Sequence, residues 1–162
     1  MKYFKKLVGE RIYLSPRNSS DVEKFTEWFN DFETTDYIGR SDAIMTLDEE
    51  RKYLESEPNP NARYFVIVTL EKDEMIGTIS LEKVSGTHRT AELGIFIGNK
   101  DYRSKGYGTE AIKLLLDYGF NSYEMQTEAN AGDVILKKKL SKAENEEVKI
   151  VPKDSLSILI KK

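Results

Sequence analysis

Residues 103–109, which read R-S-K-G-Y-G-T, have the composition of a phosphate-binding loop. The segment follows a β-rich run and precedes an amphipathic helical pattern, so it stands at the start of a helix. Gly106 and Gly108 let the backbone approach a ligand closely, and the free N–H groups and dipole of a helix start favour an anion. Arg103 and Lys105 add mobile cations. The segment therefore predicts a pyrophosphate cradle made of Arg103, Ser104, Lys105, Gly106, Tyr107, Gly108 and Thr109.

Three phosphate-binding patterns compete for this loop. The Walker pattern G-x-x-x-x-G-K-[ST] does not occur in the sequence. The dinucleotide fingerprint G-x-G-x-x-A is formally present as Gly106, Gly108 and Ala111. However, it should follow its strand at once within a βαβ unit, and polar residues intervene here. The pattern [R/Q]-x-x-G-x-[G/A], which begins at Arg103, places the pyrophosphate of coenzyme A on the turn. A plain glycine turn into a helix is the alternative without a ligand.

The composition is that of an ordinary globular domain. The chain has 162 residues, of which 39% are hydrophobic and 33% charged, and we expect a single domain over 1–162. The absence of Cys excludes disulfides, thiolate nucleophiles and Cys-ligated metals. Because His88 is the only His, we expect no metal site. We find neither a run of about 18 apolar residues nor the apolar core of a signal peptide, so we predict a cytoplasmic protein with no membrane partner.

The charge distribution bears on the partners. The net charge is −3, which argues against nucleic acid as a partner. Residues 16–62, however, contain twelve acidic and five basic side chains, a net charge of −7. This excess is either a solvated surface or a field that attracts a cationic substrate, and the sequence leaves both open.

Helical patterns occupy this acidic segment, after a short β-rich run at 12–14. Ser20 and Glu23 have the spacing of a capping box, which predicts a helix start there. Aromatic and aliphatic side chains then recur at helical spacing, which predicts a core-facing stripe whose exposed edge could line a substrate cleft: Val22, Phe25, Trp28, Phe29 and Phe32. A second capping box at 46–49 predicts another helix that ends near Glu55.

Three β-rich runs separated by short polar turns follow, at 64–70, 75–84 and 90–97. Short turns join antiparallel neighbours, so the runs predict a meander. A strong helical pattern from about 108 to 118 comes next, and its apolar face consists of Ala111, Ile112, Leu115 and Leu116. Helices before and after a meander indicate an α/β (α+β) fold with a mixed sheet flanked by helices.

A longer series of segments matches one known family. They are G-E-R-I-Y-L from Gly9, E-W-F-N from Glu27, M-I-G-T-I-S-L from Met75, H-R-T-A-E-L-G-I-F-I from His88, D-Y-R-S-K-G-Y-G-T-E-A from Asp101 and L-L-D-Y-G-F-N from Leu115. In this order and spacing, residues 9–121 resemble the GNAT acetyltransferases. The similar branch contains the RimJ/RimL-like ribosomal-protein N-terminal acetyltransferases and spermidine acetyltransferase. Such a series is more specific than the glycine motif alone.

The resemblance implies a mostly antiparallel, splayed sheet with acetyl-CoA as cosubstrate in its gap. It implies that the pantetheine pairs with the backbone of Phe96, Ile97 and Gly98 like an added strand, where a free N–H stabilises the developing oxyanion. The implied reaction is direct attack of an amine on the thioester. Glu92 matches a recurring glutamate of the family and is the expected base, while a structural or substrate-orienting carboxylate is the alternative.

The resemblance also implies a cationic amine acceptor, and we expect the acidic helices before residue 63 to form its side of the site. A protein N-terminus, a polyamine and another small amine all fit, and family analogy favours the protein N-terminus. A homodimer is compatible with the resemblance.

Residues 122–162 depart from the family. The N-x-x-A-x-x-x-Y element and the G-F pair after it are missing, so no general acid is predicted. Either Asn130 or Asp133 is a degenerate version of the Asn position, or 128–136 matches the far C-terminal strand of the family and an intervening segment is absent. We expect strands in the tail at 148–151 and 156–160. The alternative function is therefore a catalytically impaired GNAT-like acyl-CoA-binding module.

Overall fold

The computed structural model describes residues 2–36, 38, 42, 44–85, 90–123 and 158–160. Within them the strands are β1 (Leu7–Val8), β2 (Ile12–Pro16), β3 (Arg63–Thr69), β4 (Met75–Ser85), β5 (Thr90–Ile97) and β6 (Ile158–Ile160). The helices are α1 (Val22–Asn30), α2 (Phe32–Asp36), α3 (Leu47–Glu55) and α4 (Tyr107–Tyr123). No helix in this part of the chain is long and apolar enough to cross a membrane.

The described strands form one sheet in chain order, and each pairs antiparallel with its neighbours. This order confirms the predicted meander and the mostly antiparallel sheet flanked by helices. The last strand, β6, pairs with β5 only between Ala91 and Leu93. Beyond Leu93 the outer edge of β5 therefore has no strand partner among the described residues.

Helices cover both faces of the sheet because successive side chains of a strand point to opposite sides. One buried cluster joins Ile12 and Leu14 of β2 to α4, through Ala111, Leu115 and Leu116. The other joins Tyr13 of β2 to α1, through Phe25 and Trp28. The apolar stripes predicted for α1 and α4 thus face the core, except that Phe32 is 68% exposed.

Of the two predicted capping boxes, one is confirmed and one is wrong. Thr46 and Glu49 cap α3 reciprocally. At the start of α1, Ser20 does not cap: its N–H instead donates to the side chain of Asn18, which caps a 3-10 turn at Ser19–Asp21. The N-cap of α1 is the buried Asp21, whose carboxylate accepts from the Tyr3 hydroxyl at 2.8 Å instead of from the helix. A long-range contact to the N-terminal segment replaces the local cap.

The carboxylate of Glu110 joins the first turn of α4 to the turn between β1 and β2. Its Oε1 accepts the backbone N–H groups of Glu10 at 2.9 Å, Arg11 at 2.8 Å and Ile12 at 3.3 Å. Its Oε2 accepts from Nε of Arg11 at 2.9 Å. Burial alone would raise the pKa of Glu110, but the hydrogen bonds from Arg11 and Ile12 outweigh it and lower the pKa. Gly9 permits this approach, since a Cβ there would lie 2.5 Å from Oε1.

We predict that Gly98→Ala destabilises the fold by about 2 kcal/mol, because overpacking a filled core forces backbone shifts. A Cβ at Gly98 would lie 2.0 Å from Cδ2 of Trp28, whose ring is buried between α1 and the sheet. Urea denaturation measures the change. Gly108→Ala is the control, because its Cβ would make ordinary 3.8 Å contacts with Ile95 and Ile97. Equal stability of the two variants would contradict the tight packing of Gly98 on Trp28.

We also predict that Glu110→Gln destabilises the protein at pH 7 and flattens its acid sensitivity. The pKa of Glu110 is lower in the folded state, so its contribution is fully present above the unfolded-state pKa of about 4.3 and is lost as the pH falls through the folded value. Urea denaturation between neutral and acidic pH measures both effects. Glu55→Gln, on the exposed end of α3, is the matched control. A wild-type-like pH profile for Glu110→Gln would overturn this assignment.

Candidate functional site

The predicted cradle lies in the loop that joins β5 to α4. The backbone of Ser104 and Gly106 adopts left-handed conformations, with φ of 57° and 82°. The first main-chain hydrogen bond of α4 runs from the Glu110 N–H to the Gly106 carbonyl at 3.0 Å. The N–H groups of Tyr107, Gly108 and Thr109 precede it and have no acceptor within the helix. Left-handed turns before a helix start gather such N–H groups into an anion-binding concavity.

The cradle fits the diphosphate of a coenzyme A. A side chain at Gly106 would crowd Arg11, since a Cβ there would lie 3.3 Å from its Nη2, so glycine keeps the backbone accessible. Lys105 is exposed beside it. Arg11 brings a second cation: its Nη1 donates to the Lys105 carbonyl at 3.0 Å and its guanidinium lies 4.4 Å from the centre of the Tyr107 ring. Sequence reasoning missed Arg11, because 94 residues separate it from Lys105.

Arg103, by contrast, is not the mobile cation expected from the sequence. Its Nε donates to the Ile97 carbonyl at 2.9 Å, and its Nη2 donates to the Gly98 carbonyl at 3.2 Å and to the Thr34 hydroxyl at 2.6 Å. Its Nη1 pairs with Glu33 at 3.1 Å. The guanidinium therefore holds the end of β5 against α2.

Lys100 reinforces the connection between α2 and the loop. Its Nζ lies 3.1 Å from Asp31 and 2.9 Å from Glu33, just before and within α2. Hydrogen bonds from Glu33 and then Asp31 raise the pKa of Lys100. The hydroxyl of Thr34 and then Lys100 lower the pKa of Asp31 against the opposing effect of burial. Together with Arg103, these groups form a charged network between the loop and the acidic segment.

The predicted pantetheine-binding residues lie at the end of β5 that leads into this loop. Phe96 packs edge-on against Trp28 and Phe29, with ring centres 5.9 and 5.6 Å apart. Ile97 pairs with Gly77 of β4, and Gly98 lies buried on the Trp28 ring. Their outer edge is the stretch of β5 that has no strand partner in the described part of the chain. The structure therefore places 96–98 and 103–109 at the same end of the sheet.

A cavity of about 350 Å³ extends along β5 on the α1 side of the sheet. Its described lining combines aromatic rings, carboxylates and one guanidinium: Arg17, Phe25, Phe29, Ile38, Glu50, Tyr53, Tyr64, Thr78, Ser80, Glu82, Glu92, Leu93, Gly94, Ile95 and Phe96. The α1 stripe lines the cavity through the buried Phe25 and through Phe29 at its partly exposed edge, as the sequence indicated. Burial first, then Tyr53 and Glu82, raise the pKa of Tyr64 to about 12, against Arg17, so its hydroxyl is neutral at physiological pH.

Glu92, the expected base, lines this cavity near the unpaired part of β5. It lies directly opposite Glu82 of β4. Its Oε1 accepts from Nζ of the exposed Lys83 at 2.7 Å, and this contact raises the pKa of the lysine. Glu82 accepts from the Ser80 hydroxyl at 2.8 Å. The cavity thus contains two neighbouring carboxylates, of which one is ion-paired at the surface.

Some predicted features lie outside the described residues. They are His88, the candidate Asn positions Asn130 and Asp133, and the predicted tail strand at 148–151. The other predicted tail strand, at 156–160, corresponds in part to β6, which lies beside the first half of β5.

Comparison with known proteins agrees with this architecture. The family model of the acetyltransferase (GNAT) domain matches residues 11–136. YjcK of Bacillus subtilis, named as a probable N-acetyltransferase, is 33% identical over 128 residues, which cover 74% of this chain and 70% of that protein. A GNAT-family acetyltransferase of Bacillus anthracis superposes with a TM-score of 0.61 at 25% identity and covers 73% of this chain and 68% of its own.

A spermidine N-acetyltransferase of Vibrio cholerae, solved with CoA and spermine, shares the fold with a TM-score of 0.62 at 24% identity, over 70% of this chain and 66% of that one. The residues that the family model matches, 11–136, contain the strands β2 to β5, the predicted cradle and α4. The chain belongs to the GNAT family of N-acetyltransferases.

Proposed function

We propose that the protein transfers the acetyl group of acetyl-CoA to a primary amine, as a RimJ/RimL-like member of its family. The observation that supports this most is the position of the edge of β5 beyond Leu93, which has no strand partner among the described residues. This edge leads into the loop before α4, where the N–H groups of Tyr107, Gly108 and Thr109 have no acceptor within the helix, and it borders the cavity that Glu92 lines.

The cosubstrate supplies an activated acetyl group, and each part of the site has one task. The N–H groups of 107–109, with Arg11 and Lys105, bind the diphosphate. The edge at 96–98 aligns the pantetheine, and a backbone N–H there stabilises charge on the carbonyl oxygen. The acceptor amine must reach this edge in its uncharged form, so a base in the cavity has to take a proton from its ammonium form.

The carboxylates that line the cavity attract an ammonium group. Among amines, we favour an α-amine as the acceptor. A protein α-amine has a pKa of about 7.7–8.0, whereas an alkyl amine such as a lysine side chain has one of about 10.4. An α-amine is therefore easier for a carboxylate to deprotonate near neutral pH than an alkyl amine is. The carboxylate of Glu92 is already paired with Lys83, and an acceptor that loses its proton easily, such as a protein N-terminus, suits such a base better than a polyamine does.

We predict that Gly106→Asp weakens acetyl-CoA binding at least tenfold relative to Gly106→Asn. Both residues meet the same left-handed backbone at φ 82°, which Asn and Asp tolerate better than most residues. The variants therefore differ in charge alone, and the aspartate repels the diphosphate. Calorimetric titration with acetyl-CoA, with NAD as the competing dinucleotide, measures the difference.

Equal affinity of the two variants would contradict the cradle assignment and leave the loop as a structural turn. Tighter binding of NAD than of acetyl-CoA would favour the dinucleotide fingerprint instead.

We predict that Glu92→Gln lowers kcat by about 100-fold, the usual contribution of a general base, with an unchanged affinity for acetyl-CoA. Glu82→Gln is the matched control, because Glu82 lies opposite Glu92 and lines the same cavity. Steady-state kinetics with a peptide acceptor across pH 6–9 compare the two. A wild-type kcat for Glu92→Gln over this range would exclude Glu92 as the base. A larger loss for Glu82→Gln would assign that role to Glu82 instead.

A further inference from the structure

The cavity of about 350 Å³ along β5 is called the acceptor cavity below. Arg17 is the one basic side chain among the described residues that line it. It follows β2 directly and is partly buried, and its backbone N–H donates to the Tyr64 carbonyl of β3. Its guanidinium carbon lies 4.4 Å from the centre of the Tyr64 ring and 4.7 Å from that of Tyr53. The two tyrosines come from the sheet and from α3, so the guanidinium is fixed at their junction.

The N–H groups of this guanidinium have no acceptor in the described part of the chain, although Glu50, Glu82 and Glu92 line the same cavity. Contacts with aromatic rings hold a guanidinium in place through attraction to the ring faces and leave its N–H groups available. A fixed, planar guanidinium binds a carboxylate or a phosphate through two parallel hydrogen bonds. Arg17 is therefore prepared to bind an anion inside a cavity that otherwise attracts cations.

The register of the sheet sets the distance between the two kinds of group. Arg17 lies beside Tyr64, Tyr64 is opposite Ser80, and Ser80 is opposite Gly94 of β5. Three strand spacings, about 14 Å between backbones, thus separate Arg17 from the edge where the amine must react. Since an extended peptide rises about 3.3 Å per residue, its third residue lies about 7 Å from the amine. The side chain of that residue and the side chain of Arg17 together span the remaining distance.

We propose that Arg17 binds an anionic group of the acceptor and thereby determines its class. The acceptor is a primary amine that carries a carboxylate or phosphate about three residues from the amine, as in a peptide with an acidic residue near its N-terminus. The carboxylates hold the ammonium end and Arg17 holds the anionic end. A polyamine has no such anion and would place a second cation against Arg17. This inference rests on the proposed acetyl transfer to an amine.

The test uses peptide amides of sequence Ser-Ala-X-Gly, in which X is Glu, Gln or phosphoserine. We expect wild-type kcat/KM to be at least about tenfold higher when X carries a charge, through a lower KM, because a hydrogen-bonded ion pair is that strong. Arg17→Gln removes this difference and Arg17→Lys retains part of it. Arg51→Gln, which removes an exposed charge from α3 that pairs only with Asp48 among the described residues, leaves the preference unchanged. Comparison of the Glu and phosphoserine peptides distinguishes carboxylate from phosphate.

Calorimetric binding of the peptides to the protein without acetyl-CoA gives an independent readout. The Glu peptide should bind wild type at least about tenfold more tightly than the Gln peptide does. Equal binding of the Glu and Gln peptides, or a preference for the Glu peptide that persists in Arg17→Gln, overturns the inference about Arg17. Acetylation of the Gln peptide in that case still supports the proposed function. If no peptide is acetylated, the proposed function fails and the binding comparison still decides the role of Arg17. Should Arg17→Gln not fold, wild type and Arg17→Lys give the same decision.

Discussion

The geometry of the cradle depends on what the Glu110 carboxylate binds. A carboxylate in the first turn of a helix commonly satisfies N–H groups of that same turn. In this chain it accepts three N–H groups and the Arg11 guanidinium from the β1–β2 turn instead. The N–H groups of 107–109 therefore have no acceptor within α4, while their helix is rigidly attached to the sheet. The same contact brings Arg11 beside the loop, so one side chain both leaves the proposed anion site open and provides it with a cation.

A second constraint fixes the proposed acceptor side of the site relative to the proposed cofactor side. Arg103 binds the carbonyl groups of Ile97 and Gly98 and, through its other nitrogens, Glu33 and Thr34 of α2. Lys100 repeats the connection with exposed carboxylates, and such a contact alone contributes little in water. Arg103 is less exposed and has several partners at once, so it provides most of the rigidity. As a result, the edge of β5 and helix α2 keep one position relative to each other.

The sequence predicted the fold well because strong local signals determine it. Three β-rich runs with short turns permit only antiparallel neighbours, and the spacing of Ala111, Leu115 and Leu116 specifies a buried helix face. Signals failed where a distant residue competes with a local one. Ser20 has the spacing of a cap, yet Asn18 and Tyr3 determine that helix start. Arg103 contacts α2 and the end of β5, partners that its charge and its place in the loop do not indicate. The contributions of Arg11 and Arg17 depend on contacts with residues far away in the sequence, which no local spacing encodes.

The charges of the cavity show why the acidic segment 16–62 does not by itself indicate a polycationic acceptor. Of the three carboxylates, Glu92 is already paired with Lys83, but the lysine side chain is 74% exposed, so solvent weakens its hold. Arg17 is partly buried and fixed by aromatic rings, so its field inside the cavity is screened less than that of a surface charge. A ligand with cationic groups alone would satisfy the carboxylates and leave the guanidinium buried beside a like charge. A ligand with an ammonium and an anion at the right separation satisfies the carboxylates and the guanidinium together. The distance across three strands then sets the separation that the acceptor needs between its amine and its anion.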